Sequence, residues 1–125
     1  MDFVLGEDAF AIEINPRFQA TLDTVEMATG LNLFRLHMDA CRGRLPERMP
    51  APSRFAVRRI LFSERDRTIR ADLAPLSPRV ADIPWPGTDV EEGQAIISLY
   101  GWGETPEAAF GMLDRTTDQV RRLLQ

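Results

Sequence analysis

A chain of 125 residues that is 44% hydrophobic and 27% charged has the size and make-up of one globular domain, for which about 100 to 200 residues is usual. Net charge is −4, with acids and bases interspersed, so no basic face recommends nucleic acid or an anionic membrane as a partner. No apolar run approaches the roughly 20 residues that span a bilayer, and Met1-Asp2 opens onto a strand instead of a positively charged signal region, so the expected compartment is the cytoplasm.

Residues 2–5 and 9–14 read as two short strands joined by Gly6-Glu7-Asp8, a turn cluster of hairpin length. In an extended segment alternate side chains share a face. Glu13 and Asn15 should then project together, about 6 to 7 Å apart along the strand, while Ile12 and Ile14 point into the core. Antiparallel pairing would bring Asp2 to the same end, so Asp2, Glu13 and Asn15 form a candidate set of oxygen ligands; a frayed terminal Asp2 is the alternative. Carboxylate and amide oxygens suit Mg²⁺, which takes few protein ligands and completes its shell with water and phosphates. Pro16 cannot donate to a ladder and should end the strand, handing Arg17 to a loop from which its guanidinium can fork onto a phosphate or carboxylate.

A short helix over 21–29 follows, with Leu22, Val25 and Met27 or Ala28 on its buried side and Gly30 as terminator. A second helix is expected over 31–42 from the spacing of Leu33, Leu36 or His37, Ala40 and Cys41. Both helices are expected to cover one face of the hairpin. Cys41, the only cysteine, falls in this helical pattern, where a buried thiol is expected. His37, the only histidine, reads as a packed or surface residue and not as a zinc ligand.

Residues 43–53, with Pro46, Pro50 and Pro52, break the periodicity and divide the chain into regions 1–45 and 54–125. Residues 54–63 have strand composition, with Phe55, Val57 and Arg59 on one face and Ala56, Arg58 and Ile60 on the other. Glu64-Arg65-Asp66-Arg67 reads as a turn and 68–73 as the returning strand, followed by proline-rich loops around Pro75, Pro78 and Pro84-Trp85-Pro86-Gly87. The run 95–102 is the most strand-like in the chain. Thr105-Pro106-Glu107 is a helix start, with an N-cap, proline at the first position and an acid in the first turn. Phe110, Leu113, Thr117, Val120 and Leu124 continue the helical stripe. Gly101-Trp102-Gly103 lacks the third glycine of a nucleotide fingerprint and reads as a tight connector. Trp85 and Trp102 could form a ligand platform or pack under the proline loop. The expected fold class is α+β: a hairpin plus two helices, then a small antiparallel β-rich unit closed by a C-terminal helix.

Glu13-Ile14-Asn15-Pro16-Arg17 on a strand resembles the metal-binding strand of the ATP-grasp superfamily. Asn15-Pro16-Arg17-Phe18-Gln19 and Val25-Glu26-Met27-Ala28-Thr29-Gly30-Leu31-Asn32-Leu33 are similar to two runs of biotin carboxylases, and Asp2-Phe3 to the Asp-Phe pair of D-alanine-D-alanine ligases. Residues 54–125 resemble the C-terminal domain of biotin carboxylase-like proteins, with Ile97 to Gly101 as its Ile-x-x-Tyr-Gly strand. The resemblance implies a C-terminal ATP-grasp portion in which Asp2, Glu13 and Asn15 bind Mg²⁺. Glu13, Asn15, Arg17 and Gln19 would face ATP, and Arg17 would act at the acyl phosphate.

Thr21 stands where the carboxylases carry their bicarbonate base, so the implied branch is the carboxylate-amine ligases, with a carboxylate and an amine as substrates. Gln19 and Glu26 could contact the acceptor or cap the adjacent helix. All 15 Lys or Arg positions are Arg, and there is no glycine-rich phosphate loop. The phosphate-holding lysines of such enzymes would therefore come from an N-terminal ATP-grasp region or subunit, and the 125-residue chain alone is expected to be inactive. Its unfilled sheet edge implies self-association. The alternative is a non-catalytic assembly module of the same descent; a third reading is a regulatory binder using Trp85 and Trp102.

Overall fold

The computed structural model describes residues 2–14, 18–48 and 50–125. Strands β1 (Asp2–Leu5) and β2 (Ala9–Glu13) form an antiparallel hairpin with a bulge between the Asp2 and Phe3 pairings. Helices α1 (Leu22–Thr29) and α2 (Leu33–Ala40) follow. Gly30 ends α1 at φ 73°, the left-handed conformation that glycine adopts without strain, and its N–H bonds to the Glu26 carbonyl. Asn32 caps α2 by accepting from the Arg35 N–H.

The second region is built on a three-stranded antiparallel sheet. Strand β3 (Phe55–Phe62) lies at one edge, β7 (Ala95–Gly103) in the centre and β5 (Val80–Ala81) at the other edge. A two-residue pair, β4 (Arg67–Thr68) with β6 (Asp89–Val90), stands beside it. Helix α3 (Pro106–Leu123) covers one sheet face, burying Ala109, Leu113, Thr116, Thr117 and Val120. The hydroxyls of Thr116 and Thr117 donate to the carbonyls four residues back, so both are buried with their polar groups satisfied. Thr105 caps α3 by accepting from the Ala108 N–H, with Pro106 at the first position.

Gly101 and Gly103 explain how closely α3 lies on β7. A Cβ on Gly101 would stand 2.2 Å from the Ala109 carbonyl oxygen, and one on Gly103 would stand 2.6 Å from the Ala108 Cβ. The Gly-x-Gly pair is therefore the floor on which the helix rests. It lies within the strand and is not the connector expected from its spacing.

Several expectations are corrected. Residues 68–73 do not return alongside β3: β7, the longer β-branched and aromatic run, is the ladder partner along the length of β3, and Thr68 pairs instead with Asp89. The 68–73 segment instead drops Ile69 and Leu73 fully into the core, held by Ile69 N–H to Thr88 and Gly87 N–H to Ile69. Phe110 does not join the stripe of α3 and is half exposed, the buried line running through Ala109 and Thr116 instead. Trp85 stands 84% exposed and is not packed under its prolines. Cys41 is exposed, not buried.

The largest correction concerns the hairpin. Ile12 and Ile14 do not reach a core, and α1 and α2 do not cover it: Val4, Leu5, Phe10, Ile12 and Ile14 are all exposed. Instead α1 packs on the face of the β3–β7 sheet opposite α3. Arg54 and Ser53 hold it there through bonds to the Met27 and Ala28 carbonyls.

Candidate functional site

The hairpin closes with Asp2 directly opposite Glu13 across the two strands. Neighbouring positions across an antiparallel pair lie about 4.5 to 5.5 Å apart at Cβ. Two acidic residues from different strands thus stand opposite each other at one exposed end of the hairpin. Their donor set suits a hard divalent ion with an open water shell, such as Mg²⁺. Among the described residues no group of three or more His, Cys, Asp or Glu side chains could hold a metal. Asn15 and Arg17, the other residues expected at this end, lie outside the described residues.

Gln19 stands just ahead of α1, where its carbonyl accepts from the Leu22 N–H. It lines a shallow hollow with Phe18, Leu22, Asp23, Glu26 and Phe34. Glu26, left open between acceptor contact and capping, is a cap: its Oε1 accepts from the Leu33 N–H at 2.6 Å, at the start of α2. The Phe18 ring lies 6.0 Å from Phe34 and edge-on to His37 at 5.0 Å. His37 Nε2 also faces the Cys41 sulfur at 3.8 Å, one helical turn on.

A second polar constellation, which sequence reasoning missed, ties α1 to the sheet. Ser98, Tyr100 and Trp102 alternate along β7 on the face away from α3. The Tyr100 hydroxyl donates to Asp23 Oδ2 of α1. Beside it Arg58 Nη2 donates to Ser98 Oγ at 2.7 Å, and Ser98 donates in turn to Asp82 at 2.5 Å. Arg58 also lies 3.5 Å from Asp82, a residue held at φ 55°. Burial, followed by the neighbouring Asp23 carboxylate, pushes the Tyr100 phenol up to about 12 against a smaller opposing effect of Arg58. A phenol held protonated is a permanent donor. The network therefore works as a latch between helix and sheet. Its sequence signal was the polar alternation inside an otherwise apolar strand, but the partner Asp23 is 77 positions away.

Trp102 carries the Arg54 guanidinium 5.8 Å above its ring, whereas Trp85 is exposed to solvent. No helix is long and apolar enough to cross a membrane among the described residues. Comparison with known families, with characterised proteins and with solved structures returns no match.

Proposed function

We propose that the chain supplies the metal-binding hairpin of an ATP-grasp ligase of the carboxylate-amine type. The observation that carries this reading is the cross-strand pairing of Asp2 with Glu13, which joins the ends of the two motifs that resemble that superfamily. In this reading Asp2, Glu13 and Asn15 hold Mg²⁺, and Glu13, Asn15, Arg17 and Gln19 face ATP. Bound Mg²⁺ supplies neutralisation of charge on the phosphoryl group. Arg17 would hold the acyl phosphate made from the carboxylate substrate and the γ-phosphoryl group of ATP, while the amine attacks its carbonyl carbon, the C–O bond to phosphate breaks, and inorganic phosphate and the amine proton leave. An N-terminal ATP-grasp region or separate subunit supplies the cations for the ATP phosphates, and the ligase works in the cytoplasm.

The test is paramagnetic broadening by Mn²⁺, which occupies the same oxygen-rich sites. Substoichiometric Mn²⁺ should selectively broaden the amide resonances of residues 2–5 and 9–13, more so with ATP present, and Glu13→Ala should abolish the effect. Uniform broadening, or none, would sink the reading.

A second reading is a non-catalytic assembly module. It is favoured by the five large apolar side chains left exposed on and just beyond the hairpin, since contiguous apolar patches mark interaction surfaces. It requires no response to Mn²⁺ or ATP.

A further inference from the structure

Where the end of α3 meets the turn between β3 and β4, two adjoining hollows of about 390 Å³ each share Arg65, Arg67, Leu124 and Gln125 in their walls. Small-molecule sites usually measure roughly 300 to 1,000 Å³. Arg121 joins the first hollow and Arg70 the second. Four arginines from separate segments thus line one cleft in a chain whose net charge is −4.

The acids in these walls are Glu64 and Asp66. Glu64 is 81% exposed and reaches Arg121 only at 3.7 Å, the kind of solvent-facing pair that holds weakly. Asp66 Oδ1 accepts from the Glu92 N–H. Among the described residues no carboxylate stands within ion-pair distance of Arg65, Arg67 or Arg70.

Arg67 is the fixed point of the cleft. It is half-buried, and its Nη1 donates to the Leu124 carbonyl at 3.2 Å. Its Nε is buried with no hydrogen-bond partner. A donor left in that state calls for a missing partner such as an ion or a water, and a partly buried cation without a counter-charge is unfavourable. Guanidinium charge is spread over a planar fork, so an oxyanion received on its open side would offset that cost. Beside the arginines the wall is apolar, formed by Leu61, Phe62, Ile96 and Leu124.

We propose that this cleft binds a small organic phosphate, with its oxygens on Arg65 and Arg67 and its apolar part against Phe62 and Leu124. A doubly charged phosphate monoester matches the excess of arginines over acids better than a singly charged carboxylate does. The inference rests on the walls of this cleft and is independent of the metal reading.

The test is titration of the full chain with phenyl phosphate, followed by calorimetry and by amide and arginine side-chain resonances. Shifts should concentrate on residues 64–68 and 121–124 and on the Arg67 Nε–H. Arg65→Glu, at an exposed position, should weaken binding by about tenfold or more. Arg42→Glu, the same charge change at an exposed residue outside the cleft, should weaken it by less than about twofold. Arg67→Lys keeps the charge and loses the fork, and should also weaken binding. Inorganic phosphate lacks the apolar body and benzoate the second charge, so each should bind less tightly than phenyl phosphate. Absence of saturable shifts would overturn the proposal. Equal losses from Arg65→Glu and Arg42→Glu would do so too, by showing diffuse attraction, and so would benzoate binding as tightly as phenyl phosphate. The Mn²⁺ response is read at residues 2–13, so failure here leaves that reading standing.

Discussion

Gly101→Ala tests the account of how α3 meets the sheet. The added methyl would stand 2.2 Å from the Ala109 oxygen, 2.7 Å from the Leu113 nitrogen and 2.9 Å from the Leu113 Cβ. Non-bonded carbon contacts are comfortable at roughly 3.5 to 4.0 Å, so the worst of these is short by more than about 1 Å. Two of the three atoms belong to the helix backbone and cannot rotate away. Relief must come from lifting α3, which would open gaps around the fully buried Leu113 and Val120. Overpacking usually costs about 1 to 3 kcal/mol, and contact with rigid helix backbone places this case at about 3 kcal/mol or above. In urea, with a slope near 2 kcal/mol/M, the midpoint should fall by about 1.5 M with the slope unchanged. Gly6→Ala is the control, since its methyl would meet only the Asp8 oxygen at 3.8 Å. A Gly101→Ala midpoint indistinguishable from that of Gly6→Ala would refute the close-approach argument.

Two further outcomes follow from the second region. Gly111→Ala, in the middle of α3 where the new methyl would meet only the movable Arg115 guanidinium at 3.4 Å, should stabilise by about 0.5 to 1 kcal/mol, read as a raised urea midpoint. Tyr100 provides a test at alkaline pH: its phenol is raised to about 12 from an ordinary value of about 10, so the folded state holds the proton more tightly. The stability it contributes is fully present below about pH 10 and is lost as pH climbs through about 12. The chain has one tyrosine and no lysine to titrate in the same window, so tyrosinate absorbance reports this group directly. Tyr100→Phe should remove the alkaline loss; a stability profile identical to wild type between pH 10 and 12 would contradict the latch.

What was legible in the sequence was local chemistry. Thr105-Pro106-Glu107 announced the start of α3, Gly30 the end of α1, and the β-branched run before Tyr100 the central strand, because caps, left-handed turns and strand composition act over a few residues. The Asp2 to Glu13 pairing followed from a turn of hairpin length. Errors arose where a partner was distant. Nothing near residues 68–73 reveals that β7 would occupy the side of β3, and the apolar spacing of Ile69 and Leu73 fits a buried loop as well as a strand. The covering of the hairpin by α1 and α2 was inferred from amphipathic spacing, yet the polar face of β7 drew α1 away through Asp23. Glycine spacing at 101 and 103 was visible, but its purpose became clear only from the Ala108, Ala109 and Leu113 atoms packed against it. Asn15 and Arg17 lie outside the described residues, so the hairpin end is known from Asp2 and Glu13.

Among the residues whose burial is described, every buried one lies at Leu61 or beyond. Cohesion therefore resides in the latter part of the chain, and the opening segments travel as passengers fastened at Asp23, Met27 and Ala28. A melting curve would be nearly blind to them, and selection for foldedness alone would leave Phe10 and Ile12 free to drift toward polar residues.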